Sequence, residues 1–211
     1  MTDERKAGEI LRYPYATRVN HWIVAICFVL LALSGLALFH PAMFWLASLF
    51  GGGPWTRILH PFVGIAWAIA FVLLAARLWR DNFLDSADRQ WLRRIGDVLD
   101  NREEDLPAVG KYNAGQKLLF WVIVLCLLGL VATGLCMWRA YFALPVEFVR
   151  LASVLHALFA TVLICAIIVH VYAAIWVKGS IRAMTRGTVG YGWAWKHHRS
   201  WFRAMTGAQR K

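Results

Sequence analysis

The chain has 211 residues, which suffices for one compact helical bundle but not for a bundle and a second folded domain. Sixty per cent of the residues are hydrophobic and the mean hydropathy is +0.52, values that exclude an ordinary soluble domain. The formal net charge of +11 does not indicate nucleic acid, because the Lys and Arg residues lie between long apolar runs rather than on one soluble face. A membrane is the predicted surrounding.

Four apolar segments follow one another, at about residues 21–39, 61–79, 118–138 and 151–177. Each reaches the ~20 residues that a helix needs to cross ~30 Å of hydrocarbon. Only a helix satisfies its own backbone hydrogen bonds over such a length in lipid. The predicted fold is therefore all-α, an integral membrane four-helix bundle forming a single domain over residues 1–211. The first segment is long enough to span and lacks a clean A-x-A site after it, so we expect a retained helix rather than a signal peptide.

The distribution of positive charge predicts the orientation. All but three of the 23 Lys and Arg residues lie in the N-terminal segment, the connection between the second and third segments, or the C-terminal tail. The three exceptions are Arg57, Arg139 and Arg150. Because cytoplasmic segments carry the excess of Lys and Arg, both termini are predicted to be cytoplasmic.

The connections and the tail carry weaker signals. Gly51-Gly52-Gly53-Pro54 predicts a short external turn after the first helix. Apolar residues recur at helical spacing in the connection between the second and third segments, namely Trp91, Leu92, Ile95, Val98 and Leu99. This pattern predicts a helix on the cytoplasmic membrane surface. The Trp-rich tail from Tyr191 to Phe202 is expected at the lipid headgroups or against a partner.

Polar side chains inside lipid are costly and usually mark function, and the fourth segment carries two histidines. His156 and His170 are 14 residues apart, so they face nearly the same way and lie ~21 Å apart along the helix. The predicted topology gives each a partner at its own depth. These pairs are His60 with His156 near the outer surface and His21 with His170 near the cytoplasmic surface.

Two imidazoles at each depth predict two six-coordinate haems. Such haems have no open position, which favours electron transfer over oxygen binding. Zinc is disfavoured because the two levels lie roughly 20 Å apart by the helical rise. Any single histidine could instead be a hydrogen-bonded packing residue. Gly35 and Gly64 are candidates for making room for a macrocycle, although small residues also simply permit close helix packing.

The remaining histidines and the cysteines give less information. His40 has no partner at its depth, and a solvated or interface role is expected for His197 and His198 in the polar tail. The four cysteines lie inside apolar runs and are expected to be packing residues. No CxxCH motif occurs, so a haem would be held without covalent attachment.

Several sequence blocks resemble one known family, the cytochrome b556 (gamma) subunits of bacterial membrane-bound formate dehydrogenases. The blocks are Arg18-Val-Asn-His21-Trp22, Arg57-Ile-Leu-His60-Pro61-Phe62, Gly110-Lys-Tyr-Asn113-Ala-Gly115-Gln116-Lys117, His170-Val-Tyr-Ala-Ala-Ile-Trp-Val-Lys178-Gly179 and Trp195-Lys-His197-His198. The similarity covers nearly the whole chain. Related hydrogenase and thiosulfate-reductase cytochromes share the same four-helix arrangement.

The resemblance implies two haem b groups held by His21, His60, His156 and His170. It also implies a menaquinone or ubiquinone site beside the inner haem, with Asn113 and Gly115, with Gln116 nearby and with His170 at the haem edge. Asn113 and Gln116 could instead merely cap the third membrane helix, as Asn commonly does.

The implied function is electron transport in anaerobic respiration at the bacterial inner membrane. An iron–sulfur (beta) subunit and a molybdenum- or tungsten-containing catalytic (alpha) subunit would be the partners, in a higher-order oligomer with bound lipid. Three alternatives remain open from the residues. They are the cytochrome b of a nickel–iron hydrogenase, a cofactor-free transporter that uses histidines as proton relays, and a passive membrane anchor.

Overall fold

A computed structural model describes residues 7–100, 102, 106–138 and 141–207, with the side chain of Leu99 excepted. Arg139 and the charged residues at the two extreme ends of the chain, which entered the prediction of orientation, lie outside the described residues.

Four long apolar helices dominate the described chain: α1 (Tyr15–Phe39), α2 (Gly53–Leu78), α5 (Ala114–Met137) and α6 (Val146–Trp176). Each is long and apolar enough to cross a membrane, so the predicted number and type of the membrane helices are confirmed. All four begin several residues before the apolar segments read from the sequence. The helical backbone hydrogen bonds continue into flanking residues that include polar and charged side chains, and hydropathy alone does not register these turns. The chain is an integral membrane protein.

Shorter elements connect the membrane helices. They are a strand β1 (Glu9–Leu11), 3-10 helices at Pro41–Phe50 and Trp79–Asn82, helices α3 (Ser86–Arg93) and α4 (Ile95–Leu99), helix α7 (Ser180–Thr185), strand β2 (Thr188–Gly190), and helices α8 (Tyr191–His197) and α9 (Arg199–Thr206). Helices α3 and α4 lie in the connection where the sequence predicts a surface helix, with the break between them at Arg94.

The connection after α1 differs from its prediction. The sequence predicts a short turn, whereas residues Pro41–Phe50 form a 3-10 helix with His40 as its N-cap. The turn itself is confined to Gly51 and Gly52, which both have positive φ angles. This mostly apolar ten-residue segment, with Pro at the first helical position, carries no period that separates a helix from a loop. Hydropathy therefore could not reveal the helix.

The chain divides into two compact units. The first unit contains the residues up to 18, residues 77–121 and the residues from 170 onward. The second unit contains residues 19–76 and 122–169. All three segments with the excess of positive charge belong to the first unit. The second unit contains the greater part of the four membrane helices and the connections that follow α1 and α5.

The core of the second unit lies between α2, α5 and α6. Its buried residues are Trp67, Phe71, Cys126, Leu127 and Leu163. At Gly129 a methyl group would lie 2.4 Å from the Phe159 ring, so only glycine permits this approach of α5 to α6. The opposite surfaces of these helices expose many large apolar side chains, which is the arrangement that lipid requires.

The first unit contains a small antiparallel sheet that the sequence does not predict. Strand β1 pairs with β2, and Ile10 faces Val189 across the ladder. The backbone N–H groups of Arg12 and Tyr13 both donate to the carbonyl of Gly187. A side chain at Gly187, whose φ is +87°, would collide with the guanidinium of Arg18. Three-residue strands far apart in sequence carry no usable periodicity, so only the tertiary structure reveals that the two ends of the chain are joined.

Candidate haem site

The outer histidine pair lies within the second unit. His60 on α2 and His156 on α6 are both half-buried, and their ring centroids are 6.3 Å apart with 66° between the ring planes. The structure thus brings together the two residues that the sequence places at the outer level. His60 is followed by Pro61, which has no N–H to donate to the carbonyl of Arg57 one helical turn earlier.

Each ring of this pair contacts a hydroxyl group on a further helix. The Oγ of Ser34 on α1 lies 2.7 Å from Nδ1 of His60. The Oγ1 of Thr133 on α5 lies 2.9 Å from Nδ1 of His156. The sequence analysis identified neither hydroxyl residue. The only signal available was that each directly precedes a glycine in an apolar helix.

Those two glycines stand beside the same rings. A methyl group at Gly35 would lie 3.4 Å from Cε1 of His60, and one at Gly134 would lie 3.5 Å from Cε1 of His156. The sequence singled out Gly35 for macrocycle clearance, and the structure places it beside the His60 ring. The clearance role stays a prediction. Gly64, the other candidate, faces Leu31 at 3.9 Å rather than an imidazole.

The inner histidines belong to different compact units. His21 lies near the start of α1, with its ring 5.6 Å from that of Trp22. The neighbouring Asn20 donates a hydrogen bond from Nδ2 to the carbonyl of Ala70 on α2, at 2.8 Å. His170 is half-buried in the last third of α6. Because His21 is in the second unit and His170 in the first, their pairing stays a prediction.

Asn113 and Gln116 form a reciprocal cap at the start of α5. The N–H of Gln116 donates to Oδ1 of Asn113 at 3.0 Å, and the N–H of Asn113 donates to Oε1 of Gln116 at 3.1 Å. The capping role left open by the sequence is therefore present. At Gly115 a methyl group would lie 3.3 Å from the Trp91 indole of α3, so this glycine lets α3 pack on the first turn of α5. The quinone role of these three residues stays a prediction.

A buried ion pair lies beside this cap. Nζ of Lys117 is 2.6 Å from Oδ2 of Asp88 and 3.2 Å from Oδ2 of Asp85. The side chains of Lys117 and Asp88 are 5% and 2% exposed, whereas that of Asp85 is 57% exposed. Burial acts to raise the pKa of Asp85, but hydrogen bonds from the Asp88 N–H and from Lys117 outweigh it and hold the pKa below its usual value. The sequence analysis counted Lys117 only as a surface charge.

A second buried cation, Arg12, lies inside the first unit. Its guanidinium is within 5.1–5.7 Å of four aromatic rings, those of Tyr13, Tyr112, Trp193 and Trp201. Its Nη2 donates to the carbonyl of Lys111 at 2.6 Å. These contacts join the N-terminal segment, the loop before α5 and the C-terminal tail.

His198 completes the surroundings of Arg12 and corrects an expectation. Its side chain is buried rather than solvated, and it donates from Nδ1 to the carbonyl of Gly110 at 2.9 Å. Its Nε2 accepts from Nη2 of Arg12 at 3.2 Å. Burial and the adjacent Arg12 charge lower the pKa of His198 to about 2. A polar tail sequence suggests solvation, and only the folded tail shows that this ring turns inward. His40 is exposed and accepts a capping hydrogen bond from the N–H of Ala42.

Comparison with known proteins identifies the family. The model of the prokaryotic cytochrome b561 family matches residues 12–187. The nitrate-inducible formate dehydrogenase cytochrome b556(Fdn) subunit of Escherichia coli K12 is 44% identical over 208 residues, covering 98% of this chain and 96% of that protein. The chain belongs to the family of prokaryotic cytochromes b561 and formate dehydrogenase cytochrome b556 subunits.

Two further relatives of this cytochrome b agree. The formate dehydrogenase cytochrome b556(fdo) subunit of Escherichia coli K12 is 40% identical over 203 residues, 95% of either chain. The formate dehydrogenase cytochrome b556 subunit of Haemophilus influenzae is 40% identical over 196 residues, covering 92% of this chain and 82% of that protein. Membership implies haem b binding.

The outer pair of this cytochrome b fits such a group. Two imidazoles that bind one metal ion have metal–nitrogen distances of about 2 Å, and each ring centroid lies about 1 Å beyond its nitrogen. The two centroids are then about 6 Å apart. The observed separation is 6.3 Å. Each ring offers an imidazole nitrogen inside an apolar bundle, and a glycine lies beside each ring. Two imidazoles are a donor set that suits a haem iron.

Proposed function

We propose that the chain is the di-haem cytochrome b subunit of a respiratory formate dehydrogenase. In this proposal it carries electrons from an external iron–sulfur subunit across the inner membrane to menaquinone or ubiquinone. The observation that supports the proposal most directly is the facing pair His60 and His156 in a chain 44% identical to a formate dehydrogenase cytochrome b556 subunit.

In this proposal His21, His60, His156 and His170 would hold the two haems. Haem iron supplies reversible one-electron oxidation and reduction. His60 and His156 would hold the outer group. The apolar side chains of α2, α5 and α6 exclude water from the interior of the second unit.

His21 and His170 hold the inner haem. This part of the proposal rests on sequence spacing, since 14 residues of α6 separate His156 from His170, a rise of ~21 Å. Each α6 histidine is thus matched to a histidine at one end of α1 or α2. Haems at two levels with this separation would lie near opposite membrane surfaces.

Quinone binds at the start of α5, at a site formed by Asn113, Gly115, Gln116 and His170. The oxygens of Asn113 and Gln116 serve the helix cap, so their side-chain NH₂ groups are the donors for a quinone carbonyl. Gln116 is exposed and the adjoining connection is rich in charge, which provides a route to water for the protons that quinone reduction consumes.

Formate oxidation belongs to other subunits. The four cysteines are scattered through apolar segments and offer no cluster of iron–sulfur ligands. An iron–sulfur (beta) subunit and a molybdenum or tungsten (alpha) subunit complete the complex, which assembles as a higher-order oligomer in lipid. Co-purification distinguishes this assignment from a hydrogenase, since a hydrogenase cytochrome would bring a nickel–iron subunit instead.

The test is haem quantification and reduced-minus-oxidised spectroscopy on the purified complex. We expect two haem b groups per chain, with one lost in His60→Ala and the other in His21→Ala. One haem per chain, or none, in an assembled complex would end the proposal. Asn113→Ala should retain both haems and slow quinone reduction, and an unchanged rate removes Asn113 from the quinone site.

A further inference from the structure

The two hydroxyl groups at the outer pair repeat one arrangement on two helices. Ser34 on α1 contacts Nδ1 of His60, and Thr133 on α5 contacts Nδ1 of His156. We propose that Ser34 and Thr133 are positioning residues that fix the tautomer and the ring orientation of the two outer haem ligands. The inference rests on the proposed haem-binding function and extends it to a second layer of side chains.

The direction of each hydrogen bond follows from counting protons. A hydroxyl group has one hydrogen to donate. The Oγ of Ser34 lies 2.7 Å from the carbonyl oxygen of Leu30, and a carbonyl can only accept. The Ser34 hydrogen therefore goes to Leu30, and its oxygen accepts from the Nδ1–H of His60. If Ser34 donated to His60 instead, its oxygen and the carbonyl oxygen of Leu30 would lie 2.7 Å apart with no hydrogen between them.

The same argument applies to Thr133 on α5. Its Oγ1 lies 2.6 Å from the carbonyl oxygen of Gly129, one turn earlier in the helix. Its oxygen is thus an acceptor for the Nδ1–H of His156, and a backbone hydrogen bond to Leu130 also reaches this imidazole. A neutral imidazole with its hydrogen on Nδ1 carries its lone pair on Nε2, which is the form that can bind a metal ion through Nε2. Both outer histidines are thereby held in the ligating tautomer.

Burial makes these contacts hard to replace. Ser34 is 2% exposed and Thr133 is 7% exposed, so water does not readily substitute for either hydroxyl. The following residues, Gly35 and Gly134, lie against Cε1 of the same rings. Each ring thus has a hydrogen bond at Nδ1 and a neighbouring helix backbone beside Cε1. Both contacts restrict rotation about the side-chain bonds of the histidine. The two ring planes lie 66° apart.

This arrangement has electronic consequences. A hydrogen bond from Nδ1–H to an acceptor makes Nε2 more basic, as outer partners of ligating histidines do in metal sites generally. A more basic ligand favours ferric over ferrous iron, so the two hydroxyls lower the midpoint potential of the outer haem. Strongly crossed imidazole planes also give a ferric haem a highly anisotropic low-spin EPR spectrum with its main line at low field.

The experiment compares Ser34→Ala and Thr133→Val with Thr161→Val in the purified complex. Thr161, five residues after His156, donates to the carbonyl of Ala157 at 2.8 Å and is exposed, so Thr161→Val removes a helix hydroxyl that touches no histidine. The readouts are haem content, the potentiometric titration and the EPR spectrum. The outer haem is identified as the signal that His60→Ala removes.

We expect Ser34→Ala and Thr133→Val to raise the outer midpoint potential, by about 59 mV for each tenfold loss of ferric over ferrous binding. Their low-field EPR line should move, whereas Thr161→Val leaves both readouts unchanged. Ser34→Thr and Thr133→Ser keep a hydroxyl and should keep the wild-type spectrum. If the hydroxyl-free variants instead lose the outer haem while these conservative variants and Thr161→Val retain it, that result also supports the inference.

Two outcomes contradict different claims. Wild-type potentials and EPR lines in both Ser34→Ala and Thr133→Val, with full haem content, overturn the positioning role alone. A wild-type complex without an outer haem signal, or one whose spectrum survives His60→Ala, overturns the proposed haem site itself.

Discussion

Two glycines near the outer histidine pair differ in which side chain they lie beside. Gly134 lies beside the His156 ring, whereas Gly64 lies beside Leu31. Both are small residues in apolar helices, and the sequence analysis named Gly64 but not Gly134 as a candidate for clearance. Of these two glycines, the structure shows Gly134 and not Gly64 beside an imidazole, so we predict the clearance role for Gly134.

Gly134→Leu is expected to abolish the outer haem. The added side chain must occupy the space against His156, because even its Cβ would lie 3.5 Å from that ring. Gly64→Ala, whose methyl would meet Leu31 at 3.9 Å, should retain both haems. Haem content and the reduced-minus-oxidised spectrum measure the difference. Full haem occupancy in Gly134→Leu contradicts the clearance role.

His198 should make the stability of the first unit depend on pH. Its folded-state pKa of about 2 lies below the ordinary 6.5, so the unfolded chain takes up the proton first. The contribution of His198 is therefore complete above pH 6.5 and is lost as the pH falls below it. The expected slope is at most about 1.4 kcal/mol per pH unit.

Denaturant unfolding in detergent between pH 8 and pH 5 measures this slope. His198→Gln should reduce the slope, whereas replacement of the exposed His40 by Gln should not. Equal slopes in wild type and His198→Gln would show that the titration of His198 is not linked to unfolding.

At the scale of elements, one ion pair anchors α3 to the start of α5. Lys117 and Asp88 are both buried, and the cap at Asp85 holds α3 in register beside them. Gly115 and Trp91 make a second contact between the same two helices. The first turn of α5, which carries the proposed quinone residues, is thus positioned by α3.

Asp88→Asn is expected to destabilise the protein by about 3–5 kcal/mol, because it leaves the Lys117 ammonium buried without its closest counter-charge. Asp85→Asn should cost at most about 1 kcal/mol, since the Asp85 side chain is 57% exposed and Asn still caps a helix. The double variant Lys117→Met with Asp88→Leu should recover most of the loss. Thermal unfolding of the three variants measures these changes in stability. Equal losses of stability in Asp88→Asn and Asp85→Asn would contradict the anchoring role.

At the scale of the whole molecule, the positive charges predict that both termini face the cytoplasm. All three segments with this excess charge belong to one compact unit. The side of the membrane on which that unit lies is still a prediction from charge.

Cysteine labelling in intact spheroplasts tests the orientation. In a background with the four native cysteines changed to alanine, a membrane-impermeant maleimide should label Arg57→Cys and Arg150→Cys and leave Lys196→Cys unlabelled. Lysed cells serve as the accessibility control, because there all three should react. Labelling of Lys196→Cys in intact spheroplasts would contradict the predicted orientation.

The sequence by itself determined the four membrane helices, because ~20 apolar residues in lipid have no other way to satisfy their backbone. It also placed His60 and His156 at one level, because helical rise and topology convert sequence position into depth. These are one-dimensional properties that need no knowledge of neighbours.

Only the tertiary structure decided which groups contact those histidines. Ser34 and Thr133 are ordinary small polar residues until two other helices carry imidazoles to within hydrogen-bond distance of them. The same holds for the inward turn of His198 and for the pairing of β1 with β2, which join segments more than 80 residues apart. Contacts of that kind depend on how helices pack against one another, and hydropathy and spacing along one chain do not encode the packing.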